Sequence, residues 1–419
     1  RGGRRCLGSS AQPGAALRRP QRTGAHAGRQ RQRPPPRAAL PRRRAGRRVV
    51  VTGLGPVSPI GIGKAAFFEA LKAGANGTAP LCKIDTDRFE RKYGCEVKSP
   101  VEPLIPNFGA FARSGVASHF ALAATELALA DAGIERAAIR GQRVNCYFGT
   151  TYGESDRIDS MVTAMADPQS DSQASVDSAF ASEISRDVLR SIGSTGESLT
   201  IGNACSASNT ALIFGYEAIK AGDCEIAICG GSDAVYKATF ATFHRLGSMT
   251  DKDCTPFNTG RKGVLTAEGG SALVLEDYER ALRRGAPIYG EVLGFAMNCD
   301  ADHMVRLNHQ RVGECLQAAL DRAAVAPSAV GYICAHGTGT VANDSNEYQA
   351  IEAVFGASPP PVRLACAMAC ALSGLSSLRA LTSTTSSGVS WNTRLKASGL
   401  TKRTVNSAAC TATDTPRAI

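Results

Sequence analysis

Apolar and polar positions along residues 49–357 follow two alternating patterns, one typical of strands and one typical of helices. The clearest helical pattern is the alanine-rich segment 120–133, which ends at a glycine. Short apolar runs predict strands at residues 143–150, 225–229, 271–276, 288–295 and 330–334. This alternation predicts packed α/β layers, in which the run at 288–295 opens a second half.

One cysteine stands where a strand pattern changes to a helix pattern. Cys205 follows a short β-branched run that ends in Gly-Asn-Ala, and a helical pattern begins directly after it. Ser206 and Ser208 are candidate N-cap or first-turn residues, and Gly222 is the predicted helix end. A thiol at a helix N-terminus lies at the positive end of the helix dipole, which favours the nucleophilic thiolate. The alternative is a small buried structural cysteine, because free cysteine is among the most buried residue types.

A histidine occupies a similar place later in the chain. His336 follows the apolar run 330–334, from which it is separated by Ala335. A Gly/Thr loop at 337–340 comes after it. A histidine beside glycines that let a ligand approach the backbone suits a polarising or acid/base group. The alternative is a structural or merely exposed loop histidine. A cysteine and a histidine on two such strand-end turns together favour a catalytic pair.

Three motifs include or accompany these two residues. They are Asn-Ala-Cys-Ser-Ala-Ser at 203–208, Ala-His-Gly-Thr-Gly-Thr at 335–340, and a segment at 256–276 that begins Pro-Phe-Asn-Thr-Gly-Arg. Segments 50–61, 229–234 and 298–304 match the same family. In this order and spacing, from about residue 49 to residue 356, the chain resembles the β-ketoacyl-acyl-carrier-protein (ACP) synthases, the condensing enzymes of fatty-acid and polyketide synthesis. The resemblance implies a thiolase-like α/β fold, with two related βαβ-rich halves in an α/β/α/β/α layered stack.

The resemblance also implies a role for each of the two candidate residues. Cys205 would attack the thioester of an acyl carrier protein and hold the growing acyl chain, while its backbone N–H supplies half of an oxyanion hole. His336 would hydrogen-bond the malonyl thioester oxygen and stabilise the enolate formed when carbon dioxide leaves. The implied reaction is a decarboxylative Claisen condensation of malonyl-ACP. It needs no cofactor or metal on this chain, because phosphopantetheine is carried by the acyl carrier protein.

Five further residues match positions with supporting roles in the family. Thr338 and Thr340 lie where the family binds the phosphopantetheine arm, and Asp344 and Glu347 match a polar cluster near the active site. Tyr152 aligns with a position that gates the acyl pocket, where a bulky side chain favours short or unusual acyl chains. The alternative for Tyr152 is ordinary core packing. The family also implies a homodimer whose interface lies near the nucleophile helix.

The chain departs from the family after residue 356. The family carries Ser-Thr-Lys and then Gly-His here, and that histidine completes a Cys-His-His triad. An ungapped comparison places Met368 at the lysine and Ser373 at the histidine, and no histidine follows His336. The Gly-Phe-Gly-Gly loop, which provides the other half of the oxyanion hole, is missing. The alternative function is therefore a catalytically impaired or inactive paralogue, or a truncated product, that binds acyl carrier protein or a partner subunit.

Composition divides the chain into four segments, of which the last is unusual. Residues 49–285 are predicted to form the half with the cysteine, and residues 286–357 a partial half with the histidine. Residues 358–419 form a divergent Ser/Thr-rich tail, since residues 361–419 contain 18 Ser/Thr and one acidic residue, Asp414. Such an abrupt change at a motif boundary indicates a reading-frame change, a retained intron or alternative splicing. We therefore expect an incomplete second half with unpaired sheet edges.

The first segment, residues 1–48, is a basic leader. It contains 15 arginines, no lysine and no acidic residue, so the net charge of +11 becomes −4 for residues 49–419. A Pro/Gly/Arg-rich segment cannot bury enough apolar surface to fold alone, so we expect disorder. The composition predicts an organelle transit peptide, to the plastid stroma ahead of the mitochondrion, with the cytosol as a further alternative. A nucleic-acid-binding arm is the rival interpretation, although nothing in residues 49–419 requires a nucleic-acid partner.

The cysteine content excludes two other classes of protein. Fourteen cysteines are scattered through the chain without paired metal-ligand spacing. We therefore expect reduced intracellular thiols rather than a disulfide framework or a metal centre. No apolar run reaches transmembrane length, so we expect no membrane partner.

Overall fold

A mixed sheet with helices on both faces organises the computed structural model, which describes residues 46–166, 176–303 and 306–364. In these residues the strands are β1 (Val49–Ser58), β2 (Gly61–Ile62), β3 (Ala79–Pro80), β4 (Tyr93–Gly94), β5 (Val144–Gly149), β6 (Ser198–Ile201), β7 (Ile226–Asp233), β8 (Gly269–Asp277), β9 (Gly290–Glu291), β10 (Ile333–Ala335) and β11 (Val362–Leu364). The helices are α1 (Lys64–Lys72), α2 (Val116–Ala132), α3 (Arg136–Ile139), α4 (Ser155–Ala166), α5 (Glu183–Ile192), α6 (Ala207–Ala221), α7 (Lys237–Arg245), α8 (Tyr278–Arg283), α9 (His309–Ala323) and α10 (Val341–Phe355).

The order of the main sheet is β2-β1-β8-β7-β5-β6, and β9 pairs with β1 beside β2. Strand β5 runs parallel to both of its neighbours, β6 and β7, whereas β8 runs antiparallel to β7 and to β1. Helices α4 and α5 lie on the connection from β5 to β6, and α6 connects β6 to β7. Because the three parallel strands share a direction, their carboxyl ends lie at one edge of the sheet, where α/β proteins place their ligands.

The sheet is buried on both faces. Tyr147 and Phe148 are consecutive residues of β5, so their side chains point to opposite faces. Phe148 belongs to the cluster under α2 and α5, together with Ile228. Tyr147 belongs to the cluster under α6, together with Leu273. Burial of each large apolar side chain contributes about 1.5–3 kcal/mol, so these two clusters stabilise the three layers of the first half.

The predicted elements of this half are present, with one revision. Helix α2 ends at Gly133, which adopts the left-handed conformation, as the sequence predicts. Strand β7 is longer than the predicted run 225–229, because it continues through Gly230 and Gly231 to Asp233. A glycine pair resembles a turn in the sequence, yet a β-carbon on Gly230 would lie 2.0 Å from the carbonyl oxygen of Ser271 on β8. The glycine here permits close strand pairing and does not end the strand.

The second half differs more from the prediction. Of the predicted strand 288–295, Gly290–Glu291 alone is a strand in the described residues, and it pairs with β1 of the main sheet. The backbone N–H groups of Tyr289 and Val292 donate to the carbonyl oxygens of Val51 and Val49, both at 2.9 Å. The side chains of Tyr289, Val292 and Phe295 pack against the cluster under α6, and this burial draws the segment to the first sheet.

Helices α9 and α10 pack together in this half, and β10 and β11 form a separate two-stranded parallel sheet. The leader predicted at 1–48 lies almost wholly outside the described residues, which begin at Gly46. The predicted tail at 358–419 is described only to Leu364.

We predict that Leu273→Ala destabilises the protein by about 3 kcal/mol, because Leu273 is 1% exposed in the centre of β8 and its loss leaves a cavity. The shift of the urea midpoint measures this effect. Leu282→Ala is the matched control, since Leu282 is 50% exposed, and we expect a change of about 0.5 kcal/mol or less. Equal effects of the two substitutions would contradict the position of the core.

Candidate active site

Cys205 lies at the carboxyl edge of the sheet, between β6 and α6. It occupies a single 3₁₀ turn, Ala204–Ser206, and α6 begins at Ala207. Its side chain is exposed, which excludes the alternative of a buried structural cysteine. Gly222 ends α6 in the left-handed conformation, as predicted.

The turn that carries Cys205 is strained. Ala204 has a φ of 57°, a left-handed conformation that costs a residue with a β-carbon about 1–3 kcal/mol. Ser206 occupies the N-cap position, but its hydroxyl donates to the carbonyl oxygen of Asn203 at 3.1 Å and makes no capping hydrogen bond to α6. The first N–H groups of α6 therefore keep their positive potential beside the thiol.

Strand β5 touches this turn through Gly149. A β-carbon on Gly149 would lie 2.2 Å from the carbonyl carbon of Ala207 and 2.3 Å from the nitrogen of Ser208. A larger residue would push α6 away from the sheet, so Gly149 determines how closely the Cys205 turn approaches β5. The sequence shows only a glycine at a strand end, and its contact partner becomes visible only in the fold.

His336 reaches Cys205 from the second half. It follows β10, and its backbone N–H donates to Glu347 Oε1 at 2.6 Å. The N–H of Gly337 donates to the other oxygen of the same carboxylate at 2.9 Å. Glu347 therefore holds the turn after β10, and the imidazole of His336 forms a hydrogen bond with the Cys205 thiol while the residue stays exposed.

The electrostatic surroundings favour a charged His336. Desolvation of the ring by the surrounding protein disfavours the imidazolium, but this effect is outweighed by the hydrogen bond and charge of Cys205 and by the nearby charges of Glu347 and Asp344. The pKa of His336 is therefore raised above its ordinary value. A protonated imidazole next to the sulfur favours the thiolate form of Cys205, which is the reactive form.

Asp344 joins two loops beneath this pair. Its carboxylate is buried, and it accepts hydrogen bonds from the N–H of Phe257 at 2.7 Å and of Gly339 at 3.1 Å. Arg261 Nε lies 3.6 Å from the same carboxylate. Phe257 has a φ of 57°, so the loop containing it is held in a strained shape. Phe257 and Arg261 lie in the motif at 256–276, but their residue types gave no signal of this role.

The two predicted threonines meet in the loop after His336. Their hydroxyl oxygens lie 2.9 Å apart, and Thr340 Oγ1 accepts a hydrogen bond from the N–H of Asn343 at 3.3 Å. Thr340 is thus the N-cap of α10. The loop of residues 336–340 therefore brings His336, Thr338 and Thr340 together, with Asp344 and Glu347 on the helix behind it.

Tyr152 lies in the first half, on the loop that follows β5. Its backbone N–H donates to Asp233 Oδ1 at 3.1 Å, and its ring meets the ring of Phe243 on α7 with centroids 6.4 Å apart. Burial raises the pKa of Asp233 to about 6, although hydrogen bonds from Thr150, Tyr152 and Thr151 act in the opposite direction. Asp233 was not identified from the sequence, because an acidic residue after Gly-Gly-Ser gives no indication that it is buried.

Neither a metal-binding cluster nor a membrane-spanning helix is found in the described part of the chain. No group of three or more His, Cys, Asp or Glu side chains there is placed to hold a metal ion. Within the same residues, no helix has the length and apolar character that crossing a membrane requires.

The layered α/β fold is that of the thiolase-like proteins. Family models match most of the chain: "Beta-ketoacyl synthase, N-terminal domain" matches residues 46–281, and "Beta-ketoacyl synthase, C-terminal domain" matches residues 289–374. The chain belongs to the β-ketoacyl synthase family. The C-terminal match ends at residue 374, inside the tail predicted at 358–419.

Relatives and solved structures agree with this assignment. The chain is 31% identical over 321 residues to 3-oxoacyl-[acyl-carrier-protein] synthase 2 of Synechocystis, covering 74% of this chain and 77% of that protein. The ishigamide ketosynthase/chain length factor matches with a TM-score of 0.76 and 36% identity, over 80% of this chain and 85% of its own. A type II polyketide ketosynthase in complex with its acyl-carrier protein, bound to the hexaketide, matches with a TM-score of 0.71 and 29% identity over the same shares.

We predict that Cys205→Ala lowers the pKa of His336, because the substitution removes a hydrogen bond and a negative charge that favour the imidazolium. Titration of the His336 ring protons by NMR measures this pKa, and loss of the signal in His336→Gln identifies it. Cys82→Ala removes another exposed thiol and serves as the control. An unchanged pKa in Cys205→Ala would show that the sulfur is not the cause of the shift.

Proposed function

We propose that this chain is a β-ketoacyl-ACP synthase, which condenses malonyl-ACP with an acyl group held on Cys205 in fatty-acid or polyketide elongation. The observation that carries the proposal is the hydrogen bond between Cys205, at the start of α6, and His336. The relatives named above include a 3-oxoacyl-ACP synthase and a polyketide ketosynthase, so chemistry of this class is common to both pathways.

In the first step, the thiolate of Cys205 attacks the carbonyl carbon of an acyl thioester on the carrier protein. A new carbon–sulfur bond forms, and the bond to the phosphopantetheine sulfur breaks. The leaving thiolate takes a proton from the His336 imidazolium. The N–H of Cys205 and the uncapped start of α6 stabilise the developing oxyanion.

In the second step, malonyl-ACP replaces the departing carrier protein. The neutral imidazole of His336 donates a hydrogen bond to the malonyl thioester oxygen, while the carbon–carbon bond breaks and carbon dioxide leaves. The electron pair forms an enolate, whose carbon attacks the Cys205 thioester and expels the thiolate. The hydroxyl groups of Thr338 and Thr340, which lie beside His336, hold the phosphopantetheine arm in this proposal.

Acyl carrier protein is the proposed partner, and it brings the phosphopantetheine, so the chain needs no cofactor of its own. Support comes from the ketosynthase structure that contains its acyl-carrier protein. The energy for carbon–carbon bond formation comes from the thioester and from the release of carbon dioxide.

The second candidate function is an acyl-binding relative with impaired condensation. The observation in its favour is that Met368 and Ser373 stand where the family has a lysine and a second histidine, inside the segment that the C-terminal family model matches. Both residues lie outside the described part of the chain. We propose that Cys205 accepts an acyl group in either case, and that the missing histidine slows decarboxylation.

We propose that the chain forms a homodimer. A second copy of the chain would pair along β6, which lies at the sheet edge, and would cover Phe214 of α6, which is 41% exposed. The Arg-rich leader supports import into a plastid, ahead of a mitochondrion.

We predict that octanoyl-ACP labels the protein at Cys205, and that Cys205→Ala abolishes the label, because Cys205 is the thiol that lies at the start of α6 beside His336. Intact-protein mass spectrometry detects the added acyl group, and Cys82→Ala is the control thiol. Label that persists in Cys205→Ala would exclude Cys205 as the nucleophile.

Carbon dioxide release from malonyl-ACP separates the two candidate functions in the same protein. If the wild type releases carbon dioxide and His336→Gln lowers the rate by about a hundredfold or more, the result supports the synthase. Full acyl loading without release supports the acyl-binding relative.

We predict a dimer whose dissociation constant rises in Phe214→Asp, because a charge would replace the apolar contact proposed for α6. Light scattering over a dilution series measures the assembly. Phe68→Asp, on the exposed face of α1, is the matched control. A monomer at all concentrations would contradict the proposal.

A further inference from the structure

One buried carboxylate holds the loop that carries Tyr152. Asp233 is the last residue of β7 and is 8% exposed. Its Oδ1 accepts hydrogen bonds from Thr150 Oγ1 at 2.8 Å, from the N–H of Thr151 at 2.9 Å and from the N–H of Tyr152 at 3.1 Å. Its Oδ2 lies 3.1 Å from the N–H of Thr151. A single side chain therefore binds three consecutive residues of the loop.

Both ends of this loop are fixed by other contacts. Gly149, at its start, packs against the first turn of α6 without room for a β-carbon. Gly153, at its end, has a φ of 65°, and its N–H donates to Thr150 Oγ1 at 2.9 Å. The Thr150 hydroxyl thus accepts from Gly153 while it donates to Asp233. Asp233 supplies the contacts that hold the middle of the loop, where Tyr152 stands.

The position of the Tyr152 ring depends on these contacts. The ring is half-buried and meets Phe243 of α7, a helix that begins shortly after Asp233. The carboxylate orients the backbone of Tyr152 from β7, and Gly149 sets the distance of the same loop from the Cys205 turn. The loop is therefore placed relative to both the thiol-bearing helix and α7.

We propose that Asp233 is a positioning residue that sets the acyl-chain preference of Cys205 by holding Tyr152 in place. This inference rests on the proposed function, because it requires Cys205 to accept acyl groups. Asp233 does not touch the reacting atoms in this role. It acts through the backbone of the loop, so its loss changes which acyl chains are accepted more than it changes the chemistry at the sulfur.

The test is the variant Asp233→Asn, which keeps the size of the side chain but replaces one acceptor oxygen by a donor amide. That amide faces the N–H of Thr151, and the uncharged oxygen that remains is a weaker acceptor for the other donors, so the carboxylate's hold on Tyr152 weakens. The rates of Cys205 acylation from butyryl-, octanoyl- and dodecanoyl-ACP are measured in both proteins. We expect the wild type to favour the short chain and the variant to shift the short-to-long ratio of rates by about tenfold.

A matched control comes from another buried carboxylate with the same kind of contacts. Glu96 accepts hydrogen bonds from the N–H groups of Cys82 and Lys83, at 3.0 Å and 2.8 Å, and binds no part of the Tyr152 loop. Glu96→Gln therefore tests a general loss of stability. We expect it to leave the short-to-long ratio unchanged.

A second comparison tests whether Asp233 acts through Tyr152. Tyr152→Ala alone is expected to shift the ratio by a similar factor, and adding Asp233→Asn to it is expected to change little, because coupled residues are not additive. Thr150→Val removes the hydroxyl link to Asp233 and Gly153, and it replaces Asp233→Asn if that variant does not fold.

The possible results distinguish failure of the inference about Asp233 from failure of the proposed synthase function. If the wild type accepts no acyl group from any carrier, the proposed function fails and the inference fails with it. If the wild type is acylated and Tyr152→Ala shifts the ratio, but Asp233→Asn and Thr150→Val do not, the inference alone is overturned. The inference is also overturned if Tyr152→Ala leaves the short-to-long ratio of acylation rates unchanged.

Discussion

The arrangement of this protein depends on the parallel pairing of β5 with β6 on one side and with β7 on the other. This pairing brings three carboxyl strand ends to one edge of the sheet, so that the Tyr152 loop, the Cys205 turn and Asp233 lie near one another although they are far apart in the chain. The pairing is held by side chains on both faces of β5, because Tyr147 packs under α6 and Phe148 packs under α2 and α5. Gly149 then allows the end of β5 to touch the first turn of α6.

Three carboxylates shape the candidate site through the same kind of contact. Asp233 and Glu347 each accept hydrogen bonds from two backbone N–H groups of one loop, and Asp344 accepts one from each of two loops. A loop has no ladder of its own to satisfy its N–H groups, and an ionised carboxylate is the strongest side-chain acceptor available to it. The hydrogen bonds offset the cost of burying the charge, and the loop is left with one conformation. Glu347 and Asp344, which hold the His336 loop, also add to the rise in the pKa of His336, after the larger effect of the Cys205 hydrogen bond and charge.

The candidate pair is divided between the two halves of the fold. Cys205 comes from the first half, with its sheet and buried clusters, and His336 comes from a small two-stranded sheet of the second half. The segment 288–295 joins the halves, since its backbone pairs with β1 and its side chains pack under α6. The two family models match residues 46–281 and 289–374, so both halves belong to the family.

The sequence by itself determined the features that depend on local pattern. It determined the helix that ends at Gly133, the helix between Cys205 and Gly222, and the position of Cys205 and His336 at strand ends, because apolar periodicity and glycine stops act over a few residues. Only the tertiary structure decided that β7 continues through Gly230 to Asp233, that residues 290–291 join β1, and that Ala204 takes a left-handed conformation. These features depend on which distant segment packs alongside, and that choice is made by the burial of side chains and the pairing of backbone groups across the whole fold.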